Sequence, residues 1–163
     1  MGLTAADVMT SRVVTLSPDM NLVEMDTVLV KRGISGAPVV ERQQLVGLAS
    51  QADIVRVVWE EHHAARSAEG YDESLYPIPI STFASAAKEA PQLGARLVEQ
   101  TVRDVMTKDP LVAHPETPIE EIAERMVGDQ IHRVPITDRD NGELVGLVSA
   151  LDIVRAVTRY GLG

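Results

Sequence analysis

Apolar positions recur along this chain with two alternating periods, and that alternation itself occurs twice. Arg12-Val13-Val14-Thr15-Leu16 is a short β-branched run and reads as a strand. Ser17-Pro18-Asp19 punctuates it and starts a helix whose Leu22, Met25, Leu29 and Val30 fall near helical spacing, with Gly33 as its stop. Ala37-Pro38-Val39-Val40 and Leu45-Val46-Gly47-Leu48 read as the two strands of a hairpin. A second helix begins near Ala52, and its counterpart begins near Ala150. The order strand, helix, strand, strand, helix predicts an α+β sheet layer with helices on one side.

The same order returns with matching residues. Asp7-Val8-Met9-Thr10 meets Asp104-Val105-Met106-Thr107, Pro18 meets Pro115, and Leu22 and Met25 meet Ile119 and Ile122. Ile34 then meets Ile131, and Pro38-Val39 meets Pro135-Ile136. Two extra residues enter near Asp140-Asn141-Gly142, where Asn-Gly is the stronger turn signal of the two hairpins. Gly47-Leu48-Ala49-Ser50-Gln51-Ala52-Asp53-Ile54-Val55-Arg56 closes the first copy, and Gly146-Leu147-Val148-Ser149-Ala150-Leu151-Asp152-Ile153-Val154-Arg155 closes the second. Solenoid arrays need roughly three or more units. Two copies predict instead a tandem pseudo-symmetric pair of βαββα repeats, over 5–59 and 101–160, each covering the other's apolar surface. Residues 60–100 form an unmatched insert. It begins as a continuation of the helix through Val57, Val58 and Trp59, looks extended from Tyr71 to Ile80, and looks helical over Ala84 to Ala90 and Gln92 to Gln100. It holds the only Phe, Phe83, and two of the three tyrosines, Tyr71 and Tyr76. Disordered segments tend to lack such residues, so an ordered element docked on the pair or in a dimer contact is expected.

Composition narrows the function classes. With 163 residues, 45% of them hydrophobic but only 3% aromatic, the core must be compact and aliphatic. A net charge of −9 without a basic run argues against a nucleic-acid surface. The absence of cysteine excludes disulfides and thiolate sites. No apolar stretch approaches the roughly 20 residues of a membrane span, and the N-terminus carries no signal-peptide pattern, so a cytoplasmic protein off the membrane is expected.

The repeated Ser-x-x-Asp can be read in two ways. It fits a capping box, in which serine and acid satisfy the orphan amides of a helix start. The same junction offers free N–H groups, a positive dipole end and a hydroxyl to a phosphate, while the aspartate suits the vicinal hydroxyls of a ribose. Gly47 and Gly146 lack a side chain where a ligand or backbone would approach. Phosphate donor plus diol acceptor suits a nucleoside phosphate.

On these residues the chain resembles the CBS-domain pair, or Bateman module, named after cystathionine beta-synthase. The resemblance rests on the two Asp-Val-Met-Thr openings, the Ile34-to-Val40 and Ile131-to-Thr137 segments, and the two Gly-Leu-x-Ser-x-x-Asp-Ile-Val endings. It covers all but the insert and the extreme termini. It implies a regulatory module that binds AMP, ADP, ATP or an adenosyl ligand such as S-adenosylmethionine in clefts between the repeats, and that associates as a homodimer. It implies one pocket from Ser50 and Asp53 with Leu111, Ile131, His132 and Arg133 opposite. The other would use Ser149 and Asp152, with Val14, Ile34, Ser35 and Gly36 opposite. Thr10 and Thr107 are further contacts of the same kind. Arg133 would neutralise phosphate, whereas Ser35 and Gly36 place no cation at the matching position. A charge-assisted contact is worth about 1.5–3 kcal/mol, so the Asp53–Arg133 pocket is expected to prefer a phosphorylated ligand roughly ten- to a hundredfold. The Asp152 pocket would then hold an uncharged adenosyl group, bind weakly or stay empty.

The remaining candidates carry less. His132 either assists Arg133 or is a half-buried edge histidine. His62 and His63 are adjacent and point about 100° apart on a helix, poor spacing for a shared metal. His114 sits in a turn before Pro115 with no evident partner, and Glu116, Glu120, Glu121 and Glu124 suit the start and outer face of a helix. Met9 and Met106 read as core gap-fillers. No catalytic constellation, metal set or catalytic cofactor site stands out, so an enzyme ranks last. Any output passes to a separate effector protein or to the dimer. The alternative is an interaction scaffold with vestigial pockets.

Overall fold

The computed structural model of the chain describes residues 2–67 and 91–161. The expectations for Tyr71 to Ile80, Phe83 and Ala84 to Ala90 lie outside these residues, as do the side chains of His62 and His63. The elements run α1 (Ala5–Val8), α2 (Leu22–Arg32), β1 (Gly36–Glu41), β2 (Gln44–Ser50), α3 (Gln51–Ser67), α4 (Pro91–Glu99), α5 (Val102–Val105), β3 (Thr107–Lys108), α6 (Ile119–Gly128), β4 (Arg133–Thr137), β5 (Leu144–Ser149) and α7 (Ala150–Tyr160). The α+β class is as the sequence predicts, and so is the helix, strand, strand, helix order that closes each repeat. So is the continuation of α3 past Trp59, and α4 corresponds to the predicted Gln92–Gln100 helix.

The chain divides into two compact units that cut across the sequence repeats. One holds the residues up to Thr15, Ala37–Leu48 and those from Thr107 onward; the other holds Leu16–Gly36 and the described residues from Ala49 to Met106. In the first unit β1, β2 and β3 form one antiparallel sheet in that order, with Leu48 opposite Thr107 and Gly47 opposite Lys108. A second sheet is the β4–β5 hairpin, with Arg133 opposite Ser149 and Val134 opposite Val148. Ala5, Ala113, Ile122, Met126, Val134, Ile136 and Val148 form its buried cluster, flanked by Met9, Leu111, Ile131 and Ile153. The second unit is helical, with α2 packed on α3 and α4, and α3 on α5. Leu22, Met25, Leu29, Val57, Val58 and Val102 are buried.

Within each unit an opening helix from one repeat docks on the other repeat. The N–H groups of Ala5 and Ala6 donate to the carbonyls of Thr117 and Pro115, at 2.8 and 2.9 Å, and Ile119 donates back to Leu3 at 3.0 Å. The second unit repeats the arrangement with Val102 to Met20 at 2.8 Å, Arg103 to Pro18 at 3.0 Å, and Leu22 to Gln100 at 3.3 Å. Helix starts leave donors without intrahelical partners, and here carbonyls of the other repeat satisfy them. The exchange continues into the sheets. Thr10 of the first repeat bridges Leu147 of the second, and Thr107 of the second pairs with Leu48 of the first.

Three expectations change. The Arg12–Leu16 run carries no strand, and only its buried Leu16 makes a bridge. In the second repeat Ala113 alone bridges Ile136 in parallel. Pro110 and Pro115 bracket that run and Pro135 stands in the partner strand, so the N–H donors for a longer ladder are missing. Val30 is 61% exposed, outside the buried face of α2; eight residues from Leu22, it has rotated about 80° from it. Gly146 is kept bare by a side chain, since a Cβ there would lie inside the contact distance of Met9 Sδ and 3.0 Å from its Cγ.

Gly146→Ala is expected to destabilise the fold by about 1–3 kcal/mol, the usual range for overpacking. Met9→Ala in the same chain is expected to recover part of that loss, and denaturant melts of the single and double variants measure the coupling.

Candidate functional site

Both Ser-x-x-Asp junctions arise where a hairpin strand runs directly into a helix. At β5–α7 the Asp152 Oδ2 accepts from Ser149 N at 2.8 Å and from Ser149 Oγ at 2.6 Å, while Ser149 Oγ accepts from Asp152 N at 3.3 Å. At β2–α3 the Asp53 Oδ2 accepts from Ser50 N at 2.8 Å and Ser50 Oγ at 3.2 Å. Both halves of the capping box are present at Ser149 and the aspartate half at Ser50, and each engages only one carboxylate oxygen. Each helix start is also pinned to the segment preceding its own hairpin. Gln51 N donates to Ser35 O at 2.9 Å, and Ala150 N donates to His132 O at 3.0 Å.

The second carboxylate oxygen separates the two junctions. Asp53 Oδ1 accepts from Arg56 Nη2 at 2.8 Å, and the same nitrogen donates to Val105 O at 2.9 Å. Asp152 Oδ1 has Arg155 Nη1 only at 3.5 Å, an ion pair looser than a hydrogen bond between charges. Asp152 Oδ1 is thus held only by a loose ion pair, whereas Asp53 is hydrogen-bonded through both oxygens.

In the first unit a cavity of about 300 Å³ opens beside Asp152. Its walls are Asp7, Val8 and Thr10 from the opening segment, and Asp152, Arg155, Ala156, Arg159 and Tyr160 from α7. The size is at the lower end of the roughly 300–1,000 Å³ typical of ligand pockets. Two predicted residues, Thr10 and Asp152, meet there because the Thr10–Leu147 bridge carries the first repeat's opening segment to β5. Asp7 caps α1 by accepting from Thr4 N and Oγ1 at 2.8 and 3.0 Å. Those bonds hold its carboxyl below the ordinary value, the backbone N–H contributing most.

Of the other predicted residues, Leu111 and Ile131 flank the buried cluster of the first unit. Arg133 is half-buried opposite Ser149, and desolvation lowers its guanidinium from the ordinary value. Arginine still stays charged at neutral pH. His132 is exposed, which removes the half-buried alternative. Val14 belongs to the first unit and is partly buried; Thr107 is exposed in β3 of that unit. Ser50, Asp53, Ile34, Ser35 and Gly36 belong to the second unit. His114 does have a partner, since its Nδ1 lies 2.9 Å from Thr137 O. Asp7, Arg155, Arg159 and Tyr160 were missed by sequence reasoning. The signal was present for the arginines, because positions three and seven after Asp152 share its helical face. Among the described residues no cluster of His, Cys, Asp or Glu could hold a metal, and no helix is long and apolar enough to cross a membrane.

Two α+β repeats that exchange their opening segments and end their hairpins in serine-capped helices define a class of paired-repeat proteins. The sequence model of the CBS domain matches residues 5–60 and 102–159, and the chain belongs to that family as a CBS-domain pair. Uncharacterized protein MJ1426 of Methanocaldococcus jannaschii is 32% identical over 85% of this chain and 82% of its own length. Inosine-5'-monophosphate dehydrogenase of Korarchaeum cryptofilum is 28% identical, but the chain spans only 21% of it. Among solved structures, CBSX2 in complex with AMP superposes with a TM-score of 0.69 at 24% identity, covering 96% of this chain and 97% of that one. The CBS-domain pair of MJ0100, in complex with 5-methylthioadenosine and S-adenosyl-L-methionine, gives 0.65 at 21% identity, covering 97% and 98%. At these identities the likeness establishes the fold.

Ser149→Ala removes the cap hydroxyl and is expected to cost about 1 kcal/mol, within the 0.5–2 kcal/mol range of cap losses. Ser50→Ala is expected to cost a similar amount, and urea melts read both. The contribution of Asp7, whose folded pKa is depressed, is complete above the ordinary carboxylate value near 3.8 and lost as pH falls through the lowered one.

Proposed function

We propose that this chain is a regulatory module that binds adenine nucleotides or adenosyl ligands and passes their occupancy to a partner protein or to a homodimer. The observation that carries this reading is the cavity in which Thr10 and Asp152 meet, with Asp152 Oδ1 not used by the cap. An ionised carboxylate with an available oxygen is suited to the paired hydroxyls of a ribose. The helix start at Ala150 adds a positive dipole end. The reading is supported by the ligands of its fold relatives, AMP for CBSX2 and two adenosyl compounds for MJ0100.

From the family resemblance we extend the reading to both ends of the pair. Ser50, Asp53, Leu111, Ile131, His132 and Arg133 are proposed to act on one ligand. Ser149, Asp152, Thr10, Val14, Ile34, Ser35 and Gly36 are proposed to act on the other, with Thr107 as a further contact at the first. Catalysis forms no part of the proposal, and the cytoplasm is the proposed compartment.

A second reading, an interaction scaffold without a nucleotide, is favoured by one observation. Both oxygens of Asp53 are already hydrogen-bonded within its own unit, so a ribose there would compete with Arg56 for Oδ1.

A thermal-shift series with adenosine, AMP, ADP, ATP and S-adenosylmethionine separates the two. A ligand at about 100 times its Kd adds roughly 2.7 kcal/mol of stability, so a rise in Tm with one or more of them is expected. No shift with any of the five would leave the scaffold. Arg133→Ala is expected to weaken the phosphorylated ligands by roughly ten- to a hundredfold, and an unchanged affinity by calorimetry would remove Arg133 from the site.

A further inference from the structure

The α7 face that carries Asp152 also carries two guanidiniums. With 3.6 residues per turn, Arg155 and Arg159 lie about 60° and 20° from Asp152 around the helix. Long side chains on a helix lean back toward its N-terminus, so Arg155 lies over the turn that presents Asp152 and Arg159 over the turn that presents Arg155. Both line the cavity with Thr10. Arg155 is loosely paired with Asp152, its side chain 67% exposed. Arg159 makes no ion pair among the described residues. Two like charges one turn apart repel mildly, and α7 has Asp152 as its only acid. An anion seated between the two arginines would relieve that repulsion.

The matched helix of the first repeat lacks this arrangement. Its arginine, Arg56, is committed to Asp53 and to the Val105 carbonyl. The position matching Arg159 is Glu60, and the one matching Tyr160 is Glu61, which pairs with Arg96. The structure therefore places two cations on the wall of the cavity that Asp152 lines, a residue for which the sequence reading expects no cationic partner.

We propose that Arg155 and Arg159 hold the phosphate of a phosphorylated nucleoside whose ribose hydroxyls are accepted by Asp152, making the Asp152 end phosphate-selective in its own right. This rests on the nucleotide-binding function proposed above and deepens it. Asp152 takes the diol, the arginines take the dianion, and the Thr10 hydroxyl is a further donor on the same wall. Asp7, the other acid of the cavity, has one oxygen held by Thr4, and its charge disfavours an anion on that side. The phosphate is thereby directed along α7.

The test is calorimetric titration of AMP and of adenosine into the full chain carrying Asp53→Asn, so that the Asp152 end is read. It is compared with the same chain also carrying Arg155→Gln and Arg159→Gln, and with one carrying Arg159→Lys. AMP is expected to bind about tenfold or more tighter than adenosine. The double glutamine variant should erase that ratio while leaving adenosine affinity unchanged, and Arg159→Lys should keep most of it. A purely structural role for Arg159, complementing the helix dipole, would lower Tm without touching the ratio. A preference for AMP that survives the double substitution overturns the inference and leaves the proposed function standing. So does an Asp53→Asn chain that binds neither ligand, or binds both equally, while the wild type binds AMP. A wild-type chain that binds neither AMP nor adenosine overturns both.

Discussion

The structure depends on the exchange of two four-residue helices between the repeats. Helices this short do not form alone, because nucleation fixes several dihedrals before the first bond is gained. α1 and α5 exist because their free N–H groups find carbonyls in the turn of the opposite repeat, and because Thr4–Asp7 and Thr101–Asp104 boxes close their first turns. A buried donor left without a partner costs about 1–3 kcal/mol, so withdrawing either opening segment exposes several such losses together. Neither repeat is complete without the other. That explains why the compact units follow the exchanged segments, not the boundaries of the duplication.

The exchange also builds the candidate site. Thr10 reaches β5 only because the first repeat's opening segment has crossed to the second, and that brings it to the cavity beside Asp152. The Ser-x-x-Asp junction serves cap and ligand without conflict, because capping consumes one oxygen of the carboxylate. What differs between the two junctions is the fate of the other oxygen. A 2.8 Å bond to Arg56 commits it in the first repeat, and a 3.5 Å separation from Arg155 leaves it open in the second.

Much of this was legible in the sequence. The period changes placed the hairpins and long helices, Gly33 was read correctly as a helix stop and sits at φ 63°, and the duplicated decamers located both caps. The same stop in the second repeat was not legible, because Gln130 adopts φ 54° without being glycine. The β1–β2 turn was equally silent, with Arg42 and Gln43 at φ 50° and 69° in place of the usual Asn-Gly. At the second stop surrounding bonds outweigh local preference: the Ile131 N–H reaches the Met126 carbonyl at 3.0 Å across it. The opening strand failed for a different reason. Its β-branched residues signal extended backbone, but ladder length depends on donors, and prolines remove them. The exchange itself has no local signature, since a capped turn and a β-branched run look alike whichever repeat they join.

A comparison of the two repeats shows where function can diverge. Positions that are alike in both are the ones the architecture employs: the Thr-x-x-Asp boxes that hold the exchanged helices and the Ser-x-x-Asp boxes that start α3 and α7. Changing any of them removes a bond that the fold uses, so duplication leaves them tied. Gly36 against Arg133 and Glu60 against Arg159 differ in charge. At the exposed pair Glu60 and Arg159, substitution alters the local field at small cost to folding, since exposed charges away from such features contribute little to stability. A duplicated scaffold of this kind is free to give its two copies different electrostatics while keeping their geometry, and Arg159 on α7 occupies that freedom.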